Sequence, residues 1–547
     1  MTSGFKPLTL PPGVVATATK KMSSTNYAEV NMVRWVEGQL APIGGQTRYN
    51  FVFASKCKAV HGFFDLGQTY HIAYLCEANI YIDTGGSLLD ITPPDMVAPT
   101  PPSEGGYGDG FYSPGDPFNP DPDADPDELY GTPRTIGSDV AIDRLPDAYS
   151  LSNFGAVMLA MTSADGRLLY WNPADPPGTL AQEVPPKDEN SIVPNGRCFV
   201  VTPERFVQIF GSYNDGTDGG INGGSFRRFA WCDQEDYTNW NYSDVTTQAG
   251  FIDIEPSSPI VCAIATRTGT LFWTGKKCYR SRYLGTPYIY NFDELGDNCT
   301  PWSPQSMATT SSMVLWFSQQ GPYSYDGTSI LPVQCMVRAW IDDDIDLLQV
   351  REQACAIHVA NFNEFWWCYP QNGMTGNTRV AIYNYKEGWW SQARCARSAG
   401  VTASYTAHTI MANDLVSYEH ENGFIYNDCD LPWIETFDLT LTSGAQLTTV
   451  KQLLVDVEGA AQNVLYSLFY RNSRSLGLAE KQTAPKIVRS DGYVDMRTTG
   501  RDIRLRIDLA APAGFIIDKV NNIQSDGSVR PVTVGQHLFD AVPRGDR

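Results

Sequence analysis

One local design recurs along this chain: an aromatic strand, a tight turn, then a second aromatic strand. Trp316-Phe317-Ser318 is followed by Gly321-Pro322-Tyr323-Ser324-Tyr325-Asp326-Gly327. Asn363-Glu364-Phe365-Trp366-Trp367 is followed by Ala381-Ile382-Tyr383-Asn384-Tyr385 and Gly388-Trp389-Trp390. Trp, Tyr and Phe suit a pleated, half-buried surface. The Gly of Asp326-Gly327 and of Glu387-Gly388 tolerates the positive φ of a turn. Upstream echoes stand at Arg167–Pro173, where Tyr170-Trp171 precedes Asn172-Pro173, and at Phe229-Ala230-Trp231-Cys232-Asp233. Short aromatic strands at regular spacing predict an all-β array of the propeller type. Such a body is a scaffold, so function belongs to its loops, ends and assembly.

At 547 residues, with 42% hydrophobic and 12% aromatic residues, the chain can bury a large core and more than one unit. The formal net charge of -21 argues against gripping nucleic acid, since affinity for phosphate comes from Lys and Arg. It leaves room for a duct through which DNA slides. Residues 1–12 lack an apolar signal core, and no window carries about 18 consecutive apolar residues, so synthesis in the cytoplasm without a membrane span is expected. The twelve cysteines are scattered without the two-residue spacing of a zinc or redox motif, and buried free thiols are expected.

The expected organisation is an N-terminal β segment or arm over 1–55 and a β-propeller over 56–430. A C-terminal β-sandwich-like domain over 431–530 and a tail arm over 531–547 follow. Within the first segment, Val33-Arg34-Trp35, Gly38-Gln39-Leu40 and Pro42-Ile43-Gly44-Gly45 read as strand, turn, strand. Roughly six or seven blades at ~45–50 residues each are expected in the middle. Residues 92–134 break the pattern with Pro, Gly, Asp and Tyr, and read as an insertion: a mobile loop or an arm reaching a neighbour. Its Asp121–Glu128 run alternates acids with Pro, but lacks the loop Gly and the flanking helices of a calcium hand. The Gly-rich loop 211–224 lacks the Gly-Lys-Ser/Thr of a phosphate loop. The one helical pattern, 337–348, carries acids at 342, 343, 344 and 346 and reads as a polar connector. Beyond Trp433 the strands lengthen, and Ile503-Arg504-Leu505-Arg506-Ile507-Asp508-Leu509 alternates apolar with charged.

No catalytic set emerges. The six His, at 61, 71, 358, 408, 420 and 537, show no paired metal spacing, and no Gly-x-Ser-x-Gly elbow is present. Ser163-Ala164-Asp165-Gly166 before Trp171 is an off-register fragment of the turns that mark propeller sialidases. No catalytic, cofactor-binding or metal-binding residue is assigned, no cofactor is expected, and the chain reads as a non-enzyme. The alternative is a propeller that binds or cleaves glycans, with its Trp and Tyr stripes as stacking platforms.

The order of these motifs resembles the tail-tube nozzle family of short-tailed bacteriophages, also called packaged-DNA stabilisation or head-closure proteins. The matching pieces are Pro11-Pro12-Gly13, Val33-Arg34-Trp35, Gly38, Gly44-Gly45 and the insertion ending Tyr130-Gly131-Thr132-Pro133-Arg134. They continue with Asp165-Gly166-Arg167 and Trp171, Arg228-Phe229-Ala230-Trp231, the two opening stretches, and Thr499-Gly500-Arg501 to Arg506. The acidic Pro-Asp insertion departs from the family's Tyr-Gly loop. The resemblance implies a structural protein of the virion tail: a homohexameric ring below portal and adaptor that retains packaged DNA and conducts it at ejection. The implied partners are the adaptor protein, tail fibres or spikes, and double-stranded DNA passing without specific binding. From the charge, a lumen lined by acidic and neutral side chains is expected.

Overall fold

The computed structural model describes residues 5–16, 26–99, 145–214, 226–254, 258–401, 408–423, 425–439, 441, 446–458, 464–472, 480–509 and 533–543. The body is a β-propeller of seven four-stranded antiparallel blades. Blade 1 spans Cys57–Phe64 to Leu88–Asp90, and blade 2 spans Tyr149–Phe154 to Gln182–Glu183. Blade 3 spans Cys198–Val201 to Gly250–Asp253, and blade 4 spans Ile260–Thr266 to Tyr290–Asp297. Blade 5 spans Met307–Thr309 to Ile330–Pro332, and blade 6 spans Cys355–Val359 to Trp390–Ala393.

Blade 7 is composite. Ala399–Gly400, Ile410–Asn413 and Val416–His420 are completed by Gln46–Val52, which pairs with Val416–His420 and supplies the outermost strand. The ring is thus closed by a strand from some 370 positions upstream, and closure leaves the blades no free end to splay. The sequence signature sits where the fold needs it. Trp316 and Trp366 lie in second strands, Trp231 in a third strand, and Trp389 directly precedes the outermost strand of blade 6. Their rings pack between blades: Trp273 meets Trp316 edge-on at 5.1 Å, and Phe317 meets Trp367 at 5.6 Å. At about 25 cal/mol per Å², each fully buried Trp contributes roughly 4–6 kcal/mol of gross burial energy. The Asp326-Gly327 turn forms with Gly327 at φ 99° and with Asp326 Oδ1 accepting from the Thr328 and Ser329 amides. The Thr328 hydroxyl first, and then these amides, hold the exposed Asp326 carboxyl down to about 2.

Both ends of the chain build a separate β module of three sheets. Phe5–Leu8, His537–Pro543, Thr448–Leu454 and Tyr493–Gly500 form one sheet, in that order. Tyr27–Asn31, Trp433–Thr436, Asp502–Asp508 and Leu465–Arg471 form the core of the second. The hairpin Val33–Val36/Gln39–Pro42, with positive φ at Glu37 and Gly38, adjoins Thr533–Val534 and Val457–Glu458 in the third. The strand Asp502–Asp508 alternates buried and half-buried along its length, as its apolar/charged alternation demands.

The N-terminal stretch, expected as a β segment or arm, consists of strands that pair with C-terminal strands and with blade 7. The tail is not an extended arm over its described part: His537–Pro543 lies between two strands, with Phe539 fully buried. Its alternate side chains, His537, Phe539 and Ala541, face the core, and that outweighs the polar composition around them. The helical pattern at 337–348 becomes a short helix, Arg338–Asp344, followed by a second, Val350–Gln353. Ten cysteines are free and nine of these are buried, while Cys395 and Cys429 form a disulfide.

Candidate functional site: the axial tunnel and the buried junction

The innermost strands of the seven blades neighbour one another around the propeller axis and enclose a cavity of about 300 Å³. Lys58 is the one charged residue of its lining; the polar remainder includes Tyr149, Ser150, Ser152, Gln305 and Thr309. Lys58 Nζ lies 3.3 Å from Glu77 Oε1. Among the described residues the lining holds no carboxylate, and so no carboxylate pair. The tunnel is also too small for a duplex whose major groove alone is about 12 Å wide.

The second site is the junction between the propeller and the terminal β module. Strand Val33–Val36 carries Arg34 into a buried setting beside the outermost strand of blade 6. The Arg34 guanidinium donates from Nε to Glu364 Oε1 at 2.9 Å and from Nη2 to Glu364 Oε2 at 3.0 Å. Nη2 also lies 2.6 Å from Glu421 Oε1, and the guanidinium stacks 3.5 Å from the Phe362 ring centroid. Glu364 opens the second strand of blade 6 and is fully buried; its Oε2 also accepts from Trp366 Nε1 at 3.0 Å. Glu421 follows blade 7, and its Oε2 accepts from the Gly44 amide at 2.8 Å. One guanidinium thus binds the N-terminal hairpin to two blades.

Burial opposes the Arg34 charge, but Glu364 and Glu421 more than offset it and hold Arg34 above its ordinary value. Burial pushes the Glu364 carboxyl up, and Arg34 only partly offsets it. The neighbouring Arg397 is also fully buried. It donates from Nε to His420 Nε2 at 2.7 Å, and burial lowers its pKa to about 10. Burial and the two guanidiniums Arg397 and Arg34 keep His420 neutral.

The six histidines are dispersed. His61 meets Asn153 Oδ1 at 2.9 Å, His71 bridges Thr84 and Asp65, and His358 lies 3.3 Å from the Tyr385 hydroxyl. His537 is buried in the terminal module. Among the described residues, no group of three or more His, Cys, Asp or Glu side chains converges to hold a metal ion. Of the acids at 342–346, Asp342 pairs with Arg338 and Asp344 with Arg379, while Asp346 accepts from the Leu348 and Gln349 amides. Asp165 and Arg167 form a clamp: Arg167 binds Asp165 and reaches Asp95, while Asp165 accepts from the Val97 amide at 2.9 Å. This fixes the stem of the 92–134 insertion; the insertion beyond residue 99, with its Asp121–Glu128 run, lies outside the described residues, as do 215–225 of the Gly-rich loop.

Sequence reasoning passed over the Arg34 pin. Its signal was a single cation inside Val33-Arg34-Trp35-Val36, a strand otherwise apolar, which requires a buried counter-charge.

No known family model matches the chain, and no curated protein matches its sequence. Similar solved structures include the Neurospora crassa Pan2 WD40 domain, with 8% identity and a TM-score of 0.36, covering 68% of this chain and 92% of that domain. They also include a puromycin hydrolase, with 11% identity and a TM-score of 0.34, covering 75% of this chain and 55% of the hydrolase. The chain thus spans little more than half of that hydrolase's length.

Proposed function

We propose that this chain is the subunit of a tail nozzle in a short-tailed bacteriophage. It closes the DNA channel below portal and adaptor, retains packaged DNA, conducts it at ejection and docks fibres or spikes. In this reading it is a non-enzymatic virion protein assembled as a homohexamer.

One observation carries the reading. The motifs that resemble the nozzle family are far apart in sequence, yet several meet at one junction. Gly13 lies against Trp389, where an added Cβ would come within 3.1 Å of the Trp389 Cβ. Val14 donates its amide to the Trp390 carbonyl at 3.0 Å. Trp35 packs edge-on against Trp389 at 5.3 Å, Arg34 binds Glu364, and Gly44 binds Glu421. Motifs that share a junction support one two-part architecture, a propeller pinned to a terminal β module, rather than chance matches. The pin fixes the angle between the two parts, which a subunit of a closed ring requires.

The tunnel within one propeller is too small for a duplex, so the DNA path in this proposal lies on the axis of the ring. With -21 formal charges on each subunit, that lumen is lined mainly by acidic and neutral side chains. Low-dielectric walls focus their field into the lumen, and a Debye length of about 8 Å is not short beside a duplex-sized gap. Basic walls would add counterion-release affinity at every phosphate and slow ejection.

The test is a phage that lacks the chain. Its particles should package DNA and then lose it, and purified chain added to them should restore retention and infectivity. Particles that retain DNA and infect without the chain would overturn the proposal, as would purified chain that turns over host polysaccharide.

A further inference from the structure

Four of the ten free cysteines stand as two facing pairs. Cys57 and Cys76 stand directly opposite in the two inner strands of blade 1. Cys355 and Cys368 stand directly opposite in the two inner strands of blade 6. All four residues are at most 2% exposed. The same facing arrangement, across an isolated antiparallel bridge, holds the Cys395–Cys429 disulfide.

We propose that Cys57/Cys76 and Cys355/Cys368 are two oxidisable dithiol sites, each convertible to an internal disulfide by a small two-electron oxidant without backbone rearrangement. Facing residues of an antiparallel pair have Cα atoms about 4.5–5.5 Å apart, inside the span of about 4.4–6.8 Å that a disulfide accepts. Side-chain rotation alone then brings the sulfurs together. With an azo oxidant such as diamide, one thiolate adds to the N=N bond and the proton goes to the other nitrogen. The second thiolate attacks that sulfur, the S–S bond forms and the S–N bond breaks. The reagent leaves as the hydrazine, having taken two electrons and two protons from the pair.

Both sites are shielded: Cys76 is pushed up by burial, and Cys355 by the hydrogen bond to Cys368 and by burial, so reagent access waits on local opening. Each staple closes a loop of the chain, and the two lock the inner hairpins of blades 1 and 6.

The experiment treats the full chain with diamide, both folded and during refolding from guanidinium. Remaining thiols are then alkylated and the peptides mapped by mass. The expected result is two linked peptide pairs, 57/76 and 355/368. Cys198, Cys232, Cys262 and Cys335 should be recovered alkylated. The unfolding midpoint should shift upward and return with dithiothreitol. Cys57→Ser should abolish the first link and leave the second. Alkylation of all four cysteines after refolding in oxidant, or links scrambled with Cys198, Cys232, Cys262 or Cys335, would overturn the proposal.

Discussion

Replacing Arg34 with Ala should loosen the propeller from the terminal β module, and acid should partly reverse the damage. The substitution removes a cation that is 3% exposed and leaves Glu364, fully buried, and Glu421, 16% exposed, side by side without compensation. Breaking a buried ion pair from one side costs on the order of 3–5 kcal/mol. At about 1.4 kcal/mol per factor of ten, junction opening becomes roughly 10²–10³-fold more frequent. Glu364 is already held above its ordinary value by burial, and without Arg34 it rises further. A carboxyl with a raised folded pKa binds protons better folded than unfolded. The variant therefore recovers stability as pH falls through that raised pKa towards 4.5, the unfolded value. The assay is native-state proteolysis at pH 7 and pH 5, which reads the open population when reclosing is fast. Cleavage of Arg34→Ala should accelerate at pH 7 and the excess should shrink at pH 5. Arg34→Met combined with Glu364→Leu should be milder than Arg34→Ala alone, because the fully buried carboxylate is removed with its cation and only the partly exposed Glu421 is left unpaired. Cleavage of Arg34→Ala at the wild-type rate, or an excess that grows in acid, would refute the reasoning.

Burial lowers His358 and His537 to about 4, so both are neutral when folded. Stability should hold above pH 6.5 and fall between pH 6.5 and 4 as the unfolded chain takes up protons; His537→Gln should flatten that slope in a pH series of unfolding midpoints. Deleting residues 1–52 should strip blade 7 of its outer strand and yield aggregating protein by light scattering, whereas deleting residues 1–4 should leave a soluble monodisperse chain. Arg167→Ala should release Asp95 and speed proteolysis within 92–99, with the unfolding midpoint of the body little changed. Gly269→Ala should destabilise blade 4 by about 1–3 kcal/mol of backbone strain. At its φ of 140° the added Cβ would meet the Ser281 carbonyl oxygen at 2.1 Å, and denaturant midpoints check this.

The blades were legible because their information is local. Trp316, Tyr323 and Tyr325 sit in one hairpin, and the Asp326-Gly327 turn leads within a few residues into the next strand, Ile330–Pro332. Blade number was harder to read because spacing varies: blade 5 fits within 307–332, while blade 3 stretches over 198–253. What sequence could not supply was pairing across long separations. Gln46–Val52 looks like any exposed strand, and only the geometry of ring closure makes it the last strand of blade 7. Phe5–Leu8 pairs with residues 537–540, and nothing in either segment encodes the other's register. Arg34 and Glu364 were both visible as motif residues, but their 330-position separation hid the ion pair. The cysteine pairs were hidden in the same way, since facing positions in a hairpin follow no fixed spacing.

Electron cryo-microscopy of the purified chain mixed with a portal adaptor ring tests the central claim most directly. The nozzle assignment predicts a closed six-fold ring seated on the adaptor, propellers pinned to their β modules at Arg34, and a duplex-wide axial lumen lined by acidic and neutral side chains. Single unassociated propellers in the presence of adaptor, or a lumen dominated by Arg and Lys, would contradict it.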